Sequence, residues 1–194
     1  LAAQEDRFDR DQRGAARGGR RYARRGGPPH RPHVVERLDH AGLLPAIHFI
    51  FSRAGCDAAV RQCLRSGLRL VEPNDRAHIR SVVEERTAAI AEADLALLGY
   101  DEVLAGLERG FAAHHAGMLP VFKELVEDLF ADGYVQAVFA TETPALGVNM
   151  PARSVVLESL VKWNGEAHVD LTPGEYTQLT GRAGRRGIDV EGHG

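Results

Sequence analysis

The sequence predicts an α/β fold in which a parallel sheet is flanked by helices. Short apolar runs rich in β-branched and aromatic residues alternate with longer segments whose apolar residues recur every three or four positions. Strands that alternate with helices in this way are typical of parallel sheets with right-handed crossovers. With 194 residues, of which 44% are hydrophobic, the chain can bury the core of one domain.

Four short apolar runs are the predicted strands, and they cover residues 46–51, 111–113, 135–140 and 154–157. Each is bounded by turn or helix signals. No run approaches the length needed to cross a bilayer, and the start lacks the charged-then-apolar pattern of a signal peptide. We therefore expect no membrane segment and no secretion.

Helices are predicted between these strands. The first covers 55–66, and a polar stretch over 74–98 with a shorter helix over 101–109 forms a helical insertion. Residues 119–131 carry the apolar stripe of an amphipathic helix. A final helix over 173–186 is predicted to start at Thr172-Pro173, because proline is favoured in a first helical turn.

The N-terminal segment 1–33 differs sharply in composition from the rest of the chain. It has nine arginines, no lysine and four acids, for a net charge of +5, whereas the remaining 15 basic and 23 acidic residues give −8. Such a segment buries too little apolar surface to offset its ordering entropy, so we expect it to be disordered. Non-specific binding to nucleic-acid phosphates and a passive linker role both stay open. The folded domain is expected over 34–194.

The chain begins with Leu1 rather than Met and ends abruptly, so we expect a fragment of a longer protein that is truncated at its C-terminal end.

Cys56 and Cys63 lie seven residues apart on one face of a predicted helix and are expected to be buried as small apolar groups. Two such cysteines fit a reducing cytosol, and we expect a cytoplasmic protein.

Residues 178–187 combine three arginines with three glycines. If residues 174–186 form a helix, Gln178, Arg182 and Arg185 or Arg186 share one face at spacings of three and four. Two guanidinium groups on that face would suit a phosphate or the charge that develops during phosphoryl transfer. A solvated Gly/Arg loop is the alternative.

Polar residues also follow the predicted strands. Ser52 and Arg53 end the first strand, and Thr141 follows the third. Ligands of parallel sheets lie at the carboxyl ends of the strands, and these residue types suit phosphate contacts. Trp163 is expected to stack on a base or to cap the surface.

Four ordered motifs give the chain a resemblance to superfamily 2 helicases. Residues 49–53 resemble motif IV, 114–120 (His-His-Ala-Gly-Met-Leu-Pro) the segment that follows it, 140–143 with 147–151 motif V, and 178–187 motif VI. Met-Pro-Ala at 150–152 and Arg-Arg-Gly-Ile-Asp at 185–189 are most similar to the superkiller-type DExH helicases, an exosome-associated RNA helicase group. The Arg/Ala/Gly-rich composition suggests an actinobacterium.

The resemblance implies the second, C-terminal RecA-like domain of such a helicase. It implies that motif VI supplies arginine fingers to ATP, which by position are Arg182 and Arg185. The resemblance also assigns the remaining site residues. Toward the nucleotide these are Gln178, Gly147, Asn149 and Arg186, and toward single-stranded nucleic acid they are Thr141, Ser52, Arg53 and His115.

The chain lacks the parts that hold ATP and magnesium. Its two lysines, Lys123 and Lys162, do not follow glycine, so no P-loop is present. We expect a preceding RecA-like domain to bind ATP with Mg and this chain to be inactive alone. No metal site is expected at His114-His115, because adjacent strand residues point to opposite faces.

Two alternatives stay open beside the helicase half. One is a non-catalytic nucleic-acid-binding module that uses the arginine-rich segment and the strand ends. The other is a regulatory domain that docks on a partner ATPase.

Overall fold

A computed structural model describes residues 30–141, 150 and 152–184. Residues 1–29, 142–149, 151 and 185–194 lie outside this description, so the expected disorder of the N-terminal segment stays a prediction. Helix α1 begins at Arg31, inside the segment that the sequence assigned to the tail. Among the described residues, no helix has the length and apolar character needed to span a bilayer.

The predicted strands and helices follow one another along the described chain in the expected order, with two further strands before the last helix. In order they are α1 (Arg31–His40), β1 (Ala46–Phe49), α2 (Arg53–Ser66), α3 (Pro73–Thr87), α4 (Glu92–Leu97), α5 (Tyr100–Leu107), β2 (Phe111–His114), α6 (Pro120–Ala131), β3 (Ala137–Ala140), β4 (Ser154–Leu157), β5 (Val161–Trp163), β6 (His168–Asp170) and α7 (Pro173–Thr180). Helices α3, α4 and α5 form the predicted insertion.

Strands β1 to β4 form a parallel sheet in the order β2-β3-β1-β4. The register aligns their last residues, so that Phe49 lies opposite Ala140 and Leu157, and His114 lies opposite Ala140. All four carboxyl ends therefore meet at one edge of the sheet. The predicted α/β class with a parallel sheet and flanking helices is confirmed.

The sheet is covered on both faces, which explains why its strands are mostly apolar and largely buried. One face packs against α3, α5 and α6, and the other against α1 and α2. Cys56 and Cys63 lie buried in the second layer as free thiols, as predicted. Burial raises the pKa of both thiols to about 12.

The helical stretch predicted over 74–98 is not continuous but is divided between α3 and α4. Helix α3 ends at Thr87, whose buried hydroxyl donates to the Val83 carbonyl at 2.8 Å. The chain then turns, and Ala91 has an extended backbone that separates α3 from α4. A hydroxyl that bonds back to the preceding turn is a local feature that competes with continued helix.

The helix predicted over 173–186 begins at Pro173 as expected but is shorter than predicted, because α7 ends at Thr180. Beyond it, Ala152 donates its N–H to the Arg182 carbonyl at 3.2 Å, and the Gly184 N–H donates to the Ala152 carbonyl at 2.8 Å. Gly184 has a φ of 91°, which glycine adopts without strain. This parallel bridge beside β4 draws the chain away from the helical path. Gln178 and Arg182 therefore do not share one continuous helical face.

The antiparallel hairpin of β5 and β6 was missed by the sequence analysis. Its signal was present, since Asn164-Gly165 separates two short runs of alternating polarity. The Asn164 side chain accepts hydrogen bonds from the N–H groups of Glu166 and Ala167, both at 2.9 Å, and so closes the loop.

We predict that His48 makes the fold sensitive to mild acid. Burial lowers the pKa of His48 to about 4 from its ordinary 6.5, against the opposing effect of Glu158, while Arg31 lowers it further. Between these values the unfolded chain binds more protons, so the free energy of unfolding falls as pH drops from 6.5 to 4, by about 3 kcal/mol. Urea unfolding across this range measures it. His48→Leu should remove that part of the slope, and an unchanged slope would contradict the assignment.

Candidate nucleic-acid interface

A cleft of about 210 Å³ lies at the carboxyl edge of the sheet. It is lined by Phe51, Ser52, Arg53, Ala116, Thr141, Lys162 and Trp163. The aligned strand ends thus bring together Ser52, Arg53 and Thr141, three of the four residues assigned to nucleic acid from the sequence. Lys162 was not among the predicted site residues.

Ser52 lies where β1 passes into α2. Its side-chain oxygen accepts the N–H of Gly55 at 3.2 Å and so caps the helix. A Cβ at Gly55 would lie 2.7 Å from the Ile50 side chain, so only glycine lets the helix start this close to the strand. The start of this 14-residue helix, with its partial positive charge, borders the cleft through Ser52 and Arg53.

Arg53 and Thr141 supply the polar side chains on the sheet side of the cleft. Arg53 is exposed and makes no ion pair with any residue that the structure describes. Thr141 continues the register of β3, because its N–H donates to the His114 carbonyl at 3.3 Å. A guanidinium and a hydroxyl in this position can both donate to a phosphate.

His115 lies beside the cleft and is not one of the residues that line it. Its ring is 6% exposed, its Nδ1 accepts the Gly117 N–H at 3.1 Å, and its Nε2 lies 2.9 Å from Asp57 Oδ1. Because Nδ1 accepts, Nε2 carries the proton and donates to Asp57. His115 therefore shapes the turn that places Ala116 in the cleft.

His114 points to the opposite face, as predicted for adjacent strand residues, and its Nε2 lies 2.7 Å from Glu127 on α6. Each histidine has a single carboxylate partner. No group of three metal-ligating residues occurs in the described part of the chain.

The hairpin forms the other wall of the cleft. Trp163 is 55% exposed and packs edge-to-face with the His168 ring, with the ring centroids 5.2 Å apart. Lys162 points toward α7 instead, and its Nζ lies 2.6 Å from Glu175 Oε1. An exposed indole next to a guanidinium and a hydroxyl can stack a base whose phosphate they bind.

Glu175 joins the hairpin to α7. Its Oε2 accepts the Thr172 N–H at 2.9 Å, while the Thr172 hydroxyl accepts the Glu175 N–H at 3.3 Å, which together form a capping box. The Lys162 hydrogen bond, followed by the bonds from Thr172, lowers the pKa of Glu175 to about 2. Glu175 is therefore a carboxylate at neutral pH.

Among the residues assigned to the nucleotide, Gln178 and Arg182 lie within the described part of the chain. Gln178 is exposed on α7, and Arg182 is half-buried in the turn that follows. Neither lines the cleft. Gly147, Asn149, Arg185 and Arg186 lie outside the described residues, so their assignment stays a prediction.

A larger hollow of about 410 Å³ lies between α2, the insertion and residues 115–120. Its polar side chains include Asp57, which is engaged by His115, and Arg61 and Glu102, which pair with each other at 3.1 Å. The smaller cleft is the better candidate site for a polyanion, because Arg53 there has no described ion pair.

Comparison with known proteins identifies the family of the chain. Residues 68–187 match the family described as helicase conserved C-terminal domain, so Ser52 and Arg53 precede the matched region. A probable helicase HelY of Mycobacterium tuberculosis is 69% identical over 166 residues, which cover 86% of this chain and 18% of that protein.

More distant relatives are DExH helicases. The antiviral helicase SKI2 of Saccharomyces cerevisiae is 38% identical over 83% of this chain and 12% of its own length. The chloroplastic DExH-box ATP-dependent RNA helicase DExH15 of Arabidopsis thaliana is 42% identical over 84% and 14%. The predicted resemblance to superkiller-type DExH helicases is confirmed, and the chain spans less than a fifth of the length of these relatives.

We predict that Asp57 stabilises the wall of the cleft through His115. Asp57→Ala would leave the buried Nε2–H of His115 without an acceptor, at a cost of about 1–3 kcal/mol in the free energy of unfolding. Asp57→Asn keeps an acceptor oxygen and should cost much less. Urea unfolding of both variants measures the difference, and equal losses would contradict the hydrogen-bond assignment.

Proposed function

The chain belongs to the family of helicase conserved C-terminal domains, and we propose that it forms one half of an ATP-dependent helicase that acts on single-stranded RNA. The observation that carries this proposal is the cleft at the strand ends, where Ser52, Arg53 and Thr141 face Trp163. RNA rather than DNA is favoured because the DExH relatives named above include a helicase described as an RNA helicase.

The cleft suits a nucleic-acid backbone for three physical reasons. The start of α2 offers partial positive charge, Arg53 offers a full charge, and the hydroxyl of Thr141 can donate a hydrogen bond. None of these groups reads a base edge. Binding there should therefore depend little on base sequence and strongly on salt.

We assign the nucleotide to α7 and the segment that follows it, together with residues 147 and 149. Arg182 and Arg185 would donate to the ATP phosphates as arginine fingers, and Gln178, Asn149, Gly147 and Arg186 would complete that side. A guanidinium aimed at a transferring phosphoryl group stabilises the charge that develops on it. This chain would supply hydrogen-bond donors to only part of the ATP triphosphate, because its sequence contains no P-loop.

The hairpin and α7 connect the cleft to the part of the chain that we assign to the nucleotide. ATP bound between this domain and a P-loop domain would favour the closed arrangement of the two. Closure would change the grip of both domains on the strand, which is the usual logic of hinge-type coupling. The ATP itself would supply the phosphoryl chemistry when it is bound.

We predict that Arg53 carries much of the RNA affinity. Trp163 is the only tryptophan, so its fluorescence reports binding in the cleft directly when a 12-nucleotide oligouridine is titrated into the chain. Arg53→Ala should weaken binding about tenfold at low salt and reduce the slope of log K against log[salt] by about 0.7, which is one phosphate contact with a single strand.

Arg65→Ala is the matched control for this titration, since Arg65 is exposed at the opposite end of the same helix. It should bind like the wild type. Equal affinities for wild type and Arg53→Ala would contradict the proposed cleft. Binding that instead disappears when residues 1–29 are deleted would favour the non-catalytic binding module.

We predict that the arginines after α7 are required for ATP hydrolysis. The test replaces the matching segment of the mycobacterial HelY protein with this chain, which is 69% identical to it. Arg182→Ala and Arg185→Ala should each lower RNA-stimulated kcat about 10³-fold or more. Arg69→Ala, an exposed arginine outside the site, is the control. ATPase that is indifferent to both changes would overturn the finger assignment.

A further inference from the structure

We propose that Lys162 is a phosphate-binding residue whose ammonium group is paired with Glu175 until nucleic acid binds. The Glu175 carboxylate therefore competes with the nucleic-acid phosphates for this ammonium group. This inference rests on the proposed function, because it concerns the same cleft. It adds a residue that the sequence motifs did not indicate and assigns Glu175 a restraining role.

The hairpin places Lys162 between helix α7 and the cleft. Val161 and Trp163, its neighbours in β5, are 40% and 55% exposed, whereas the Lys162 side chain is 14% exposed. Alternation along the strand turns Lys162 toward α7 while its neighbours face outward. Lys162 nevertheless lines the cleft together with Arg53 and Thr141. Because the four-carbon lysine stem is flexible, rotation of the side chain would carry its charge from α7 toward the cleft.

Glu175 can release Lys162 without losing its structural role. Its Oε1 bonds Lys162 at 2.6 Å, while its Oε2 accepts the Thr172 N–H at 2.9 Å. The second bond and the Thr172 hydroxyl keep α7 capped when Lys162 moves away. Exchange of Lys162 between partners therefore leaves the helix start intact.

Electrostatics determine whether a charge change at Lys162 or Glu175 strengthens or weakens RNA binding. Paired with Glu175, Lys162 contributes little net positive charge to the cleft, and the carboxylate itself repels an incoming phosphate. A phosphate that binds Lys162 must displace the carboxylate, so part of the binding free energy is consumed in that exchange. Removing the negative charge from Glu175 should consequently strengthen RNA binding, whereas removing the positive charge from Lys162 should weaken it.

The structure offers a clean substitution for this test. Glu175→Gln keeps a side chain that can complete the capping box but removes the charge. Glu166→Gln is the matched control, because Glu166 is an exposed carboxylate in the loop of the same hairpin and changes the net charge equally. Thr172→Ala removes the hydroxyl cap without touching the Lys162–Glu175 pair, and so reports the effect of a weakened helix alone.

The experiment titrates each variant of the full chain with a fluorescein-labelled 12-nucleotide oligouridine and follows anisotropy at several salt concentrations. Glu175→Gln should bind three- to tenfold more tightly than Glu166→Gln, and Thr172→Ala should not gain affinity. Lys162→Gln should bind more weakly and lose about 0.7 from the salt slope. In the Lys162→Gln background, Glu175→Gln should bring no further gain.

Each outcome bears on a separate claim. A Glu175→Gln variant that binds no more tightly than Glu166→Gln overturns the competition, as does a gain that persists without Lys162. If Arg53→Ala also fails to weaken binding, the proposed cleft itself is wrong. If Arg53→Ala weakens binding while both Lys162 and Glu175 variants leave it unchanged, the cleft stands and this inference alone falls.

Discussion

The register of the parallel sheet is the constraint on which the candidate site depends. Phe49, His114 and Ala140 end their strands opposite one another, so the residues that follow them emerge at one edge. Backbone hydrogen bonds and two apolar layers maintain that register, and a slip of one residue would turn buried side chains to the wrong face. The site is thus assembled by the core rather than by contacts among its own polar groups.

The walls of the cleft are built by local interactions that add to this frame. On one side the His115 ring connects the Gly117 backbone to Asp57, and on the other the Lys162–Glu175 pair ties the hairpin to α7. Both use buried or half-buried charged and polar groups whose partners are specific. A fixed wall on the His115 side lowers the entropic cost of binding a flexible strand, whereas the proposed release of Lys162 from Glu175 would add to that cost.

The sequence predicted the features that depend on period and order. The apolar runs predicted the four strands of the parallel sheet. Ser52, Arg53 and Thr141 were identified because they follow predicted strands, and the carboxyl ends of parallel strands lie at one edge of the sheet. It failed where a distant contact overrides a local preference. Arg182 leaves the helical path where its carbonyl accepts the N–H of Ala152, which lies 30 positions earlier in the chain, and no helix signal near residue 181 could reveal that partner. Lys162 was missed for a different reason, since the Asn164-Gly165 turn signal of the hairpin that presents it was present but went unrecognised.

The central claim is that single-stranded nucleic acid lies across the strand ends with its phosphates against the start of α2. A crystal structure of the chain with a short oligouridine tests this most directly. The account predicts a phosphate oxygen within about 3 Å of the Arg53 guanidinium or the Thr141 hydroxyl, with a base on Trp163. An oligonucleotide bound in the hollow between α2 and the insertion, with the strand ends bare, would contradict it.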